Sequence, residues 1–104
     1  MITINGEVWG IRLVPPYHPG LAAPSGPALG CCNDITKTIY LNNTLSPSEI
    51  EKVLTHEIVH AVMYSYNVDI SDQVEEIVAD IIATYGEGII SLSNTVYHRK
   101  FKFI

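Results

Sequence analysis

The spacing of apolar positions changes character along the chain, and each change marks an element. Ile2 to Asn5 and Val8 to Val14 alternate or cluster apolar residues on either side of Asn5-Gly6, which predicts a β-hairpin turning at that pair. Residues 15–30 are rich in Pro, Gly and Ala and predict an irregular loop, long enough for functional loops to come into consideration. Leu29 to Asn33 and Thr38 to Asn42 predict two short strands joined around Asp34 to Lys37. In the second of these, Ile39 and Leu41 share one face and Tyr40 takes the other. A strand leading into a functional site can leave an edge open, and an extended peptide can pair along such an edge.

From Ser46 the period becomes helical. Ser46 suits an N-cap, Pro47 the first helical position and Glu49 the closing residue of a capping box. Nothing breaks the pattern until about Tyr66. Ile50, Val53, Leu54, Ile58, Ala61, Val62 and Met63 cover most of the circumference, as in a central, buried helix. Asn67 to Ser71 is the expected break, with Ser71 or Asp72 capping a second helix from about Asp72 to Tyr85 that frays near Gly86 and Gly88. Residues 89–104 turn from apolar to basic, and the closing alternation from Tyr97 to Ile104 suits a short edge strand or a surface tail. The expected fold class is α+β: a small antiparallel or mixed sheet packed on two main helices, residues 1–104 forming one domain.

Composition narrows the partners. An apolar fraction of 47 % supports a core, and a net charge of −5 argues against a nucleic-acid binder. No segment approaches the roughly eighteen apolar residues of a membrane span, and the first residues lack the features of a signal peptide, so a cytoplasmic location is expected. Cys31 and Cys32 are adjacent, which suits two reduced thiols rather than a disulfide or a metal pair.

The chemistry concentrates between Thr55 and Ala61. His56, Glu57 and His60 form the H-E-x-x-H pattern, and residues four apart stack on one helix face, so two imidazoles can reach one metal ion. Glu57, about 100° round the helix, borders the metal where a general base for a water molecule must sit. Two histidines need a third ligand. Glu76 is favoured over Glu75 because Asp80 lies one turn beyond it, placed to accept the other ring N–H of a ligating histidine. Asp69 and Asp72 read as capping residues. Tyr17 and His18 read first as loop residues without a role and stay in consideration because a loop near a cleft could bring a hydrogen-bond donor to a substrate, whereas Tyr64 is expected in the core. Tyr85 and His98 are no stronger as groups to stabilise a reaction intermediate. The ligand types favour zinc without excluding manganese.

His56-Glu57-x-x-His60 followed by Glu76-x-x-Ala79-Asp80, preceded by Lys37 to Asn42 and Leu45-Ser46-Pro47, resembles the gluzincin clan of zinc metallopeptidases. It looks closest to small phage- or prophage-type zincin-like proteins and the related ImmA/IrrE group. The likeness covers about residues 37–85. It implies a minimal zincin-like fold and hydrolysis of peptide or protein substrates. In its terms His56, His60 and Glu76 are zinc ligands, Glu57 the general base and acid, and Asp80 the support of a ligand. A tyrosine or histidine that stabilises the tetrahedral intermediate in larger relatives has no evident counterpart. A zinc-binding regulatory or interaction module without turnover is the alternative; an intact Glu57 favours the enzyme.

Overall fold

The computed structural model describes residues 1–102. Its first 42 residues build a four-stranded mixed sheet from β1 (Ile2–Ile4), β2 (Glu7–Val14), β3 (Gly30–Asn33) and β4 (Thr38–Asn42). The strand order is β1-β2-β4-β3. β1 and β2 form the expected hairpin, with Asn5 at φ 49° and Gly6 at φ 77°. Positive φ at both central residues gives the turn a twist that matches its strands. β3 and β4 form a second antiparallel pair. What joins the hairpins is a parallel pairing of β2 with β4, from Gly10 opposite Thr38 to Val14 opposite Asn42. β4 is therefore an interior strand and offers no open edge; β1 and β3 are the edge strands, and β3 is the one beside β4.

The sheet has two differently covered faces. Trp9, Ile39 and Leu41 point to the same side and join Ile4 and Ala61 in the core, with Ile11, Cys32, Val53, Leu54 and Ile58 packed around them. Trp9 is fully buried and donates its indole N–H to Ser65 Oγ at 3.0 Å. Asn5 donates to the Ser65 carbonyl at 2.9 Å, so the first hairpin is tied to the end of the helix that crosses it. On the opposite face, loop 15–28 folds back over Tyr40. A 3-10 turn at Pro19–Leu21 is capped by His18, whose Nδ1 accepts from the Gly20 N–H, and the His18 ring lies 5.2 Å from that of Tyr40. Leu21 is fully buried beneath the loop.

α1 (Pro47–Ser65) starts with the full capping box: Ser46 accepts from the Glu49 N–H and Glu49 returns the bond to the Ser46 N–H. It ends at Ser65 with Tyr66 as C-cap, and just beyond, the left-handed φ of 52° at Asn67 accompanies a bond from the Val68 N–H back to the Met63 carbonyl. The helix lies between the sheet and α2 (Asp72–Lys100), which is capped by Ser71. α2 runs straight through Gly86 and Gly88, so the expected fraying there, and the edge strand or tail after it, are corrected. Phe103 and Ile104 of that expected strand lie outside the described residues. An exposed helical glycine costs about 1 kcal/mol, which the flanking turns outweigh. The chain is α+β, as its spacing predicts, and no helix among the described residues is long and apolar enough to cross a membrane.

Candidate metal centre

Helix periodicity puts His56 and His60 on the α1 face that meets α2, and α2 brings three carboxylates against them. Each imidazole is gripped from behind. His56 Nδ1 lies 3.0 Å from Asp80 Oδ1, and His60 Nδ1 lies 2.9 Å from Glu75 Oε2. A carboxylate accepts only, so both Nδ1 atoms carry the proton and donate. Both Nε2 atoms then turn toward a single point, 3.1 Å from each other. The carboxylate of Glu76 closes the triangle, Oε1 at 2.7 Å from His60 Nε2 and Oε2 at 3.3 Å from His56 Nε2.

Three lone-pair donors held this close repel one another unless a proton or a cation sits among them. Donors about 2.1 Å from a tetrahedral ion stand roughly 3.4 Å apart, close to the spacing of the two imidazoles. The donor set of two imidazoles and a carboxylate matches zinc's preferences. His56, Glu57 and His60 also each offer a ligand atom within 4.8 Å of the others, so this group can hold a metal ion.

Glu57 stands apart from the triangle. It is buried, and its Oε2 has no hydrogen-bond partner. Burial pushes its carboxyl above the ordinary range, and the two imidazoles pull back. Two clefts meet at this residue. One, of about 480 Å³, runs along His56, Val53 and Lys52 toward Ala83; the other, of about 350 Å³, runs along His60, Tyr64 and Glu75. Gly30 and Glu57 line both. A Cβ on Gly30 would stand 2.6 Å from Val53 Cγ1 and 3.0 Å from Glu57 Cγ, so only glycine lets β3 lie this close to α1.

The edge of β3 borders these clefts. Asn42 donates its N–H to the Leu29 carbonyl, which makes that pair a hydrogen-bonded one. By the alternation of an antiparallel ladder, Gly30 and Cys32 then turn their N–H and C=O away from β4. Cys32 is kept as a thiol by burial and by the nearby Glu57, its pKa pushed up to about 12, and Cys31 is raised for the same two reasons. Both cysteines are free thiols.

Two expectations change, at Glu75 and at Tyr64. Glu75, passed over as a ligand, holds His60 in orientation; its role depends on how α2 is rotated against α1, which adjacent glutamates do not reveal. Tyr64 is 40 % exposed and lines the second cleft, not the core, with its phenol raised by burial and by Glu75. Tyr17 and His18 lie on the far face of the sheet, His18 against Tyr40 and Tyr17 out in solvent, and neither borders the clefts. No family model, characterised protein or solved structure matches the chain.

Proposed function

We propose that this chain is a zinc-dependent peptidase of minimal gluzincin type, with His56, His60 and Glu76 holding the ion. The observation that carries the reading is the pairing of two things side by side. Two imidazoles and a carboxylate converge their lone pairs on one point, and next to it an unpartnered, buried carboxylate faces two clefts. A buried His–Glu network built only for stability has no use for Glu57 Oε2 left without a partner.

Zinc in that site would supply the Lewis acidity that makes water a nucleophile near neutral pH and polarises a carbonyl. The chain's own residues do the rest. Glu57 takes the proton of the attacking water at its free oxygen and passes it to the leaving amine nitrogen; a carboxyl raised by burial is better matched to both transfers than an ordinary one. Asp80 and Glu75 hold the imidazoles in one tautomer, which keeps both Nε2 atoms available. Gly30 and Cys32 bind an extended peptide by pairing their outward N–H and C=O groups with its backbone, laying the scissile bond across Glu57. Tyr64, protonated at neutral pH, offers a hydroxyl donor on the His60 side.

The test is metal content combined with cleavage of a mixed peptide library. One zinc per chain and chelator-sensitive cleavage are expected. Glu57→Gln should keep the zinc and lose cleavage by about a hundredfold or more, and His60→Ala should lose the zinc. Full zinc occupancy in folded His60→Ala refutes the ligand assignment. Zinc without cleavage in the unmodified chain refutes the peptidase and favours a zinc-binding interaction module.

A further inference from the structure

The described residues fold into a body too small for their surface. They expose 7214 Å², whereas a compact monomer of this mass exposes about 5,800 Å². The Cα radius of gyration is 15.8 Å against an expected value of about 13 Å. The excess comes from α2, a helix about 43 Å long whose first half packs on α1 and whose second half projects into solvent. Clefts along that second half are lined by α2 residues and its C-cap Phe101, with no residue of the sheet or of α1.

The projecting helix is not polar. Val78, Ile82, Tyr85, Ile89, Leu92 and Val96 follow one another at steps of four, three, four, three and four, the spacing of a coiled-coil seam. The last five are 40–69 % exposed. The seam lies on a flank of α2 roughly 120° from the face that Ala79 and Ala83 turn to α1, by helical geometry. It is also symmetric about Glu87. Run antiparallel against itself, it sets Val78 on Val96, Ile82 on Leu92 and Tyr85 on Ile89, so every seam residue meets another. The crossing falls between Gly86 and Gly88, where absent side chains let two helices approach.

Charge follows the same symmetry. From Asp72 to Glu87 the helix carries five acids and no base; from Gly88 to Lys100 it carries no acid and ends His98-Arg99-Lys100. An antiparallel copy brings its basic end alongside the first copy's acidic half; Glu75, Glu76 and Asp80 are themselves turned to the histidines of α1, so the attraction acts between helix halves and not between paired side chains. The surplus surface of about 1,400 Å² per chain exceeds the roughly 800 Å² that each partner buries in a standard interface.

We propose that a second copy of this chain covers the outer face of α2, as an antiparallel α2–α2 pair about an axis at Glu87. The charge gradient also stabilises a lone helix through its macrodipole, so the response to salt is the discriminating measurement. Sedimentation equilibrium of the full chain between about 1 and 100 µM, where such interfaces populate, should give twice the chain mass. Ile89→Glu, at a position 55 % exposed in the single chain, should keep the circular dichroism and weaken the dimer at least about a hundredfold, since it buries an unpaired charge. Ser91→Lys, on the opposite side of the helix, should leave the mass unchanged. Added salt, or Arg99→Glu with Lys100→Glu, should weaken the pair. A one-chain mass throughout overturns the proposal and leaves the face to another protein or a lipid surface. A dimer indifferent to Ile89→Glu, or tightened by salt as like charges in a parallel pair would be, overturns it too.

Discussion

Individual residues decide how this chain responds to acid. Glu49 is hydrogen-bonded to Ser46 through both backbone and hydroxyl, which lowers its carboxyl below the ordinary range. Its folded pKa lies under its unfolded one, so its contribution is present above the unfolded value and lost as pH falls through the folded one. Glu57 has the opposite sign. Burial raises its folded pKa, so the native state is favoured as pH falls and the ionised form costs stability as pH rises through the folded value. In metal-free protein, Glu57→Gln is therefore expected to raise stability at neutral pH, on the order of 1 kcal/mol. The difference from the unmodified chain should shrink on acidification, followed by thermal melts in chelator across pH. Ser46→Ala removes the cap of α1 and is expected to cost about 1 kcal/mol in denaturant titration. Ser46 and Glu49 are legible in sequence because a capping box is local. The part Glu75 plays is not, since it rests on a helix–helix rotation set by packing.

Between elements, the decisive contact is β3 on α1. Gly30→Ala drives a methyl into Val53 and Glu57. It is expected to cost about 1–3 kcal/mol and to reduce peptide cleavage more than zinc content, measured by melting, metal analysis and turnover on the same preparation. The hairpin at Asn5-Gly6 and the strand from Thr38 to Asn42 follow from turn chemistry and β-branched residues, which is why their limits can be read from the chain. The parallel joint between β2 and β4 cannot, because its partners are about thirty residues apart and no local signal records their register. The length of α2 was hidden for another reason. Gly86 and Gly88 look like a stop, yet neither takes a left-handed φ, and the helix instead ends at Phe101 after its basic last turn.

For the molecule as a whole, the donors gathered at the centre come from α1 and α2, while the link between those helices is only the short segment 66–71. A bound ion would act as a cross-link between them. At a free zinc concentration a hundred times the dissociation constant, binding adds about 2.7 kcal/mol to the folded state. Chelation should lower the melting temperature accordingly and increase hydrogen exchange most in the first four turns of α2, with the sheet little changed. The broad class, a mixed sheet with two helices, was evident from periodicity. How far the second helix stands out from the body was not, because nothing in a single chain's pattern states what its apolar flank rests against.

Trp9 is the only tryptophan in the chain, sealed in the core with its N–H on Ser65 and the Lys37 ammonium 5.3 Å from its ring. The chain thus carries an intrinsic fluorophore at the joint between its first hairpin and α1. Emission from this single site reports whether that joint is closed. Detachment of the hairpin would let water reach the indole and shift the spectrum to the red, even while circular dichroism still registers both helices.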